Sequence, residues 1–440
     1  MNTFKELVHK KTVILDGATG TNLSQAGMPM GECTEKWVLA HPEVIQNLQK
    51  SYIEAGTEIV YAPTFQANAI KMEEYDEADK VLEMNKALVA LTKTIADEDT
   101  LIAGDMTMTG KQLLPLGPIS FEQLVSCYAE QAKALEEGGV DLFVVETMLS
   151  VQEARAAVLG IRQMSTLPVM VTLTFDENGR TLYGTDPLTA LVTLQDLGID
   201  AFGMNCSAGP EALLPHIQAM KPYAHIPLIT KANAGLPEMV DGQAIFAMNP
   251  EIFAKRSADL VEAGASLVGG CCGTTPEHIC ELVAELNRRN LMQHPGKEFK
   301  AEITCPTVTT ERRLYTFGSF EELEVDRRIN AGANNELADD FADGMMDTLY
   351  DLIDEVLDEE ADIVCIDIDS DKYDPCDIVE EVIQNLAQLN APAMISTKDM
   401  ALLEKYLRLY PGRALVEIKD GADEAKTRAL INHYGAQIFE

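Results

Sequence analysis

Two stretches carry the reading of the fold: Ala201-Phe-Gly-Met-Asn-Cys-Ser-Ala-Gly-Pro210 and Ser266-Leu-Val-Gly-Gly-Cys-Cys-Gly-Thr-Thr-Pro276. In each, a short apolar run of strand character ends in cysteine and glycine, and a stretch of helical spacing follows. The same alternation extends from Thr12 to about Met292, the pattern of repeated βα units and a parallel sheet. Eight strand-like runs are legible, at residues 13–15, 58–61, 101–103, 142–146, 169–174, 201–205, 227–230 and 266–269. The stretches between them, such as 42–55, 121–138, 151–164 and 250–264, keep helical spacing, and several end at glycine, as helices commonly do. Eight strands in about 280 residues is the size of an α/β TIM barrel, a (β/α)8 fold.

At 440 residues the chain is long enough for a second domain. Polar residues, prolines and threonines between 293 and 310 read as a linker, which leaves 1–292 as the barrel and 311–440 as a smaller, incomplete βα domain. In that segment residues 336–362 form a strongly acidic stretch whose apolar residues keep helical spacing, the pattern of a helix with a solvated face. Strand-like runs then recur at 363–368, 393–395 and 414–418, too few to close a second barrel.

A formal charge of −37 argues against nucleic-acid binding, which depends on a cationic surface. No apolar run approaches the ~18 residues of a membrane span, and the polar N-terminus does not read as a secretory signal. The expectation is a cytoplasmic protein without a membrane partner. Nine cysteines, two of them adjacent, then fit reduced thiols or metal ligands better than a disulfide framework.

In barrel enzymes the working residues sit at the C-terminal ends of the strands. Cys206 follows the sixth run, and Cys271 and Cys272 follow the eighth. Those runs flank the seventh in a closed barrel, so three thiols can converge above it on a zinc ion with bonds of ~2.3 Å. A lone cysteine is most often a small buried hydrophobe. Three at two strand ends, wrapped in glycines that admit close backbone approach, are poorly explained by packing. A vicinal disulfide between Cys271 and Cys272 leaves Cys206 unexplained; the other six (Cys33, Cys127, Cys280, Cys305, Cys365, Cys376) do not cluster. Three cysteine ligands leave one tetrahedral position open, the mark of a catalytic zinc. A thiol suits that position, because zinc stabilises the thiolate, the nucleophilic form. The reaction class implied is alkyl transfer to sulfur.

These segments resemble the homocysteine S-methyltransferase family, whose barrel also stands at the N-terminus of cobalamin-dependent methionine synthase. The resemblance is carried by Leu15-Asp-Gly-Ala-Thr-Gly-Thr-Asn-Leu23, Gly31-Glu-Cys-Thr-Glu35, Ala62-Pro-Thr-Phe-Gln-Ala-Asn68, Val145-Glu-Thr-Met148, Gly203-Met-Asn-Cys206, Ala232-Asn-Ala-Gly-Leu-Pro237 and Gly269-Gly-Cys-Cys-Gly-Thr-Thr-Pro276. It implies Zn2+ on Cys206, Cys271 and Cys272, with the sulfur of homocysteine as fourth ligand and methionine as product. It further implies that Glu146 holds the substrate ammonium group, with Asp16 a second candidate; helix capping is the rival role for both. Asn233 matches an asparagine that fills the fourth zinc position when substrate is absent, or is a turn asparagine. The substrate carboxylate is expected to meet backbone N–H groups such as those of Ser207 and Ala208.

The segment after 310 resembles, more weakly, part of the pterin-binding barrel of the same synthases, through Ala361-Asp-Ile-Val-Cys-Ile-Asp-Ile-Asp369 and Ala391-Pro-Ala-Met-Ile-Ser-Thr397. The second motif lacks the family's aspartate, so folate binding is not expected. No segment matches a corrinoid-binding loop, so cobalamin is expected to arrive as methylcobalamin on a separate corrinoid protein or free. The methyl donor stands open between that carrier and a sulfonium such as S-methylmethionine or S-adenosylmethionine. A structural zinc in a subunit of a methyltransferase complex is the reading from a different class.

Overall fold

The computed structural model describes residues 3–240, 243–321, 323–359, 361–389 and 391–440. Their contacts divide into two compact units, Met1–Leu191 with Ile199–Glu302, and Val192–Gly198 with Ile303–Glu440.

In the first unit the strands are β1 (Val13–Ile14), β2 (Ile59–Tyr61), β3 (Leu101–Met106), β4 (Leu142–Met148), β5 (Val169–Leu173), β6 (Ala201–Cys206) and β7 (Leu228–Ala232). An antiparallel hairpin of β8 (Pro237–Val240) and β9 (Gln243–Phe246) follows, then β10 (Leu267–Gly270). All but the hairpin pair in parallel in the order β1-β10-β7-β6-β5-β4-β3-β2, and a bridge between Leu15 and Ile59 joins the two end strands into a ring. This is the expected barrel, with β10 as its eighth strand. The intervening helices begin and end on local signals. Phe121–Gly138 opens on a capping box between Ser120 and Gln123 and stops at Gly139, which is left-handed at φ 85°.

Strand alternation sends every second side chain inward, and the lower layers of the interior are apolar: Leu101 and Ala103 of β3, Leu142 and Val144 of β4, Ala201 of β6, Ile229 of β7. The helix Phe4–Lys10 contributes Phe4, Leu7 and Val8 to the same cluster and covers its floor. Moving up each strand, the next inward places are polar: Asp105, Glu146, Asn205 and Lys231, all buried. The apolar floor and polar upper layer set where chemistry can occur. Interior packing also fixes Gly203, whose register partner is Ile229; a Cβ there would lie 1.9 Å from the Ile229 carbonyl oxygen. Gly203→Ala is therefore expected to cost about 3 kcal/mol or more, because two paired strands must part to admit the methyl group, and a urea-unfolding midpoint will read it.

Residues 293–302, expected as linker, instead belong to the barrel unit. The His294 and Gly296 N–H groups bond to the carbonyls of Lys10 and His9, Lys297 Nζ donates to Ser266 Oγ at 2.8 Å, and Phe299 packs on the floor cluster. These hydrogen bonds and the partly buried Phe299 tie the segment to the barrel unit despite its loop-like composition. Residues 307–309, also expected as linker, form a strand of the second unit.

That unit opens with an antiparallel pair, β11 (Thr307–Thr309) and β12 (Leu314–Thr316). A parallel sheet follows in chain order: β13 (Val325–Asp326), β14 (Ile363–Ile366), β15 (Ala393–Thr397), β16 (Leu415–Ile418) and β17 (Gln437–Ile438). Val308 and Phe320 pack against Ile363, Cys365, Met394 and Leu415 on one face. The acidic stretch forms two helices, Asn335–Ala342 and Asp347–Leu357, rather than one, broken at Gly344 with φ 71°. Among the described residues no helix is long and apolar enough to cross a membrane.

Candidate metal centre

The loops after β6, β7 and β10 meet at the C-terminal mouth of the barrel, and backbone bonds stitch them together. Cys271 N–H donates to Ala232 O at 2.8 Å, Asn233 N–H to Ala208 O at 3.0 Å, and Ala234 N–H to Cys272 O at 2.9 Å. Cys206 and Ser207 are consecutive left-handed residues at φ 58° and 61°, a conformation that costs non-glycine residues of order 1 kcal/mol each. The turn closes through Ala208 N–H and Cys206 O at 2.7 Å.

The outcome is a cluster of three half-buried thiols, Cys206, Cys271 and Cys272, whose sulfurs all lie within 4.8 Å of one another. Cys206 Sγ and Cys272 Sγ are 3.8 Å apart. Tetrahedral zinc with bonds of ~2.3 Å sets its sulfurs ~3.8 Å apart, so the pair has the spacing such an ion requires. Among the described residues this is the one group of three such ligands.

Without a cation the crowding works against ionisation. For Cys206 a hydrogen bond with Cys271 pulls the pKa down, but the bond with Cys272 and burial outweigh it and push the thiol up to about 11. Cys271 is raised through its bond with Cys206. For Cys272 the bond with Cys206 lowers the pKa, while Cys271 and burial carry it up to about 12. A soft divalent cation is what makes three thiolates stable together.

Below the thiols, Asn205 is fully buried and serves as a hub. Its Oδ1 accepts from Thr147 N–H at 3.0 Å and from Thr172 Oγ1 at 2.9 Å, and its Nδ2 donates to Thr147 Oγ1 at 2.7 Å and faces Cys271 Sγ at 3.9 Å. Beside it Lys231 is buried in the interior layer. Its Nζ lies 2.9 Å from Asp16 Oδ1, 3.5 Å from Glu146 Oε2 and 3.6 Å from the centre of the Tyr61 ring. Burial pulls the Lys231 pKa down, but the Asp16 and Glu146 carboxylates outweigh it and hold the ammonium well above its usual range. Glu146 is itself raised, by burial against the opposing pull of Lys231.

The expected site residues thus fall into distinct settings. The three cysteines and Asn233 meet at the mouth, and the Asn233 side-chain oxygen is buried without a hydrogen-bond partner among the described residues. Asp16 is engaged on both oxygens, by Lys231 and by Tyr61 N–H at 2.8 Å. Among the described residues the Glu146 carboxylate has only the longer contact to Lys231. The Ser207 hydroxyl turns to the loop after β5, accepting from Phe175 N–H at 2.9 Å, while its backbone N–H faces the Cys206 sulfur. Sequence reasoning missed Lys231, Asn205, Asp105 and Tyr61. The available signal was a charge inside an apolar run, since a charged group on a strand buried on both faces must find a partner.

A sequence model of the family described as homocysteine S-methyltransferase matches residues 13–286, more than half of the chain. This chain belongs to the homocysteine S-methyltransferase family. The family barrel accounts for the first unit; wider similarity reaches into the second. Proteins named methionine synthase from Mycobacterium leprae and Mycobacterium tuberculosis are each 28% identical over 98% of this chain. The chain spans 38% of the length of those relatives. Among solved structures, the metallated form of the homocysteine methyltransferase MmuM from Escherichia coli shares the fold at a TM-score of 0.52 and 22% identity, covering 62% of this chain and 95% of that one. Its oxidized form matches at 0.52 and 23% identity with the same coverage.

Proposed function

We propose that this chain transfers a methyl group to the thiol of homocysteine, giving methionine, with zinc held by Cys206, Cys271 and Cys272. The observation that carries the reading is the convergence of those thiols at the barrel mouth, with Cys206 and Cys272 at the 3.8 Å spacing of two zinc ligands. Among the described residues no fourth thiol joins them, which favours an open metal site over a closed structural one. Zinc, when bound, lowers the pKa of a coordinated thiol so that it is present as thiolate at neutral pH.

The chain's own residues supply the rest. Three thiolates give the centre a net negative charge and leave a bound sulfur electron-rich. Asn205 presents its amide N–H toward Cys271 and is locked by three hydrogen bonds. Glu146, only partly answered by Lys231, accepts the substrate ammonium, and Asn233, whose backbone N–H bonds to Ala208 O in the loop after Cys206, has a side-chain oxygen without a hydrogen-bond partner among the described residues.

A methylcorrinoid is the donor this reading names, and a cytoplasmic setting goes with it; a sulfonium is the alternative. No pterin role is assigned to the second unit. The strand-end carboxylates Asp367 and Asp369 are already answered there by Lys419 Nζ at 2.5 and 3.1 Å, and Asp369 also by the Thr397 hydroxyl.

The test incubates zinc-loaded protein and homocysteine with a methylcorrinoid protein, free methylcobalamin, S-methylmethionine or S-adenosylmethionine, and quantifies methionine. Methionine from one donor supports the reading and names the donor. No methionine from any, together with no homocysteine binding, overturns it.

A further inference from the structure

We propose that Asp105 is the second carboxylate of the clamp for the substrate ammonium group, acting with Glu146, while Asp16 is retained by Lys231. The inference rests on homocysteine being the acceptor. Asp105 continues the inward series of Leu101 and Ala103 along β3 and is 6% exposed. Its backbone is fixed on both sides by Thr64, whose hydroxyl accepts from Asp105 N–H at 3.0 Å and donates to Asp105 O at 2.8 Å. Yet Asp105 Oδ1 is buried and has no hydrogen-bond partner among the described residues.

The charged groups that act on it are Glu146, Lys231, Asp16 and, beyond them, Glu35. Glu35 is occupied by Gln66 N–H at 2.7 Å and by the Cys33 thiol. Lys231 is committed to Asp16 at 2.9 Å and to the Tyr61 ring, and reaches Glu146 only at 3.5 Å. Among the described residues, Asp16, Glu146 and Asp105 are therefore three buried carboxyl groups served by one ammonium. Burial, with Glu146 acting on it, holds the Asp105 carboxyl well above its usual range, so its ionised form is not compensated by Lys231. An unpaired buried carboxylate costs several kcal/mol. One more monovalent cation with several N–H donors answers that deficit, and a primary ammonium carries three. The free α-ammonium of an amino-acid thiol has that chemistry, so Asp105 becomes a determinant of specificity for amino-acid thiols over plain ones.

Isothermal calorimetry on zinc-loaded protein tests this, with homocysteine and with 4-mercaptobutyrate, which lacks only the amine. Asp105→Asn is expected to weaken homocysteine about tenfold to a hundredfold, the worth of a charge-assisted hydrogen bond, and to leave 4-mercaptobutyrate within about twofold. Equal weakening of both thiols, or unchanged homocysteine binding, overturns the inference. Asp105→Ser is read by the same criterion and replaces Asp105→Asn should that variant not fold. Wild-type protein that binds neither thiol removes the proposed function and this inference with it. Wild-type binding with unaltered amine discrimination in the variant removes this inference alone.

Discussion

Cys272→Ala is expected to abolish methyl transfer and to strip most of the zinc from purified protein. The three thiols are held by loops that bond to one another through Cys271, Cys272, Asn233 and Ala234, so the alanine variant should keep its fold and lose only a ligand. Apparent zinc-binding energies in four-ligand protein sites run to about 10–16 kcal/mol, so one thiolate is worth about 3–4 kcal/mol, or on the order of 10²- to 10³-fold in affinity. Activity should fall by at least that factor, because the acceptor thiol then ionises with its ordinary pKa. Metal analysis of dialysed protein, alongside a methionine assay, measures both quantities. A variant that retains one zinc per chain and its activity would remove Cys272 from the centre.

The second large effect is expected at Lys231. Lys231→Met keeps much of the side-chain volume but withdraws the cation that faces Asp16 and Glu146 inside the barrel. Removing one partner of a buried ion pair costs about 3–5 kcal/mol, far more than an exposed pair would. The loss should shrink as pH falls. A carboxyl whose folded pKa lies above its unfolded value binds more protons when folded, so its presence destabilises at neutral pH and less so in acid. Glu146 and Asp105 are raised in that sense already, and loss of Lys231 raises them further. Urea unfolding from neutral pH down through the range where these carboxyls protonate should show the gap between variant and parent closing. A gap constant with pH would mean that Lys231 contributes through packing.

These two residues also mark what was legible in the sequence. The cysteines were found because strand ends and clustered ligands are local signals, and the barrel because its apolar runs recur with the right spacing. The runs for β3 and β7 were nevertheless read short, ending at Ala103 and Thr230 where the strands reach Met106 and Ala232. The cause is the same in both. Near the mouth the interior layer turns from apolar to charged, so a rule that follows apolar residues stops two residues before Asp105 and one before Lys231. Asp16 stands in the sequence as a candidate for the substrate ammonium with no visible partner; the lysine that lies against it is 215 residues away along the chain. The packing of the segment after residue 292 is hidden for a different reason, since polar composition carries no information about the backbone bonds that tie His294 and Gly296 to the first helix. The break at Gly344 was visible as a glycine but masked by the continuous apolar spacing around it.

The most direct test of the whole account is zinc X-ray absorption on the purified protein with and without homocysteine. The account predicts three sulfur neighbours at ~2.3 Å and one lighter atom in the free protein, becoming four sulfurs when homocysteine is added. A shell that homocysteine leaves unchanged would contradict an open three-thiol site whose ligand is the acceptor thiol.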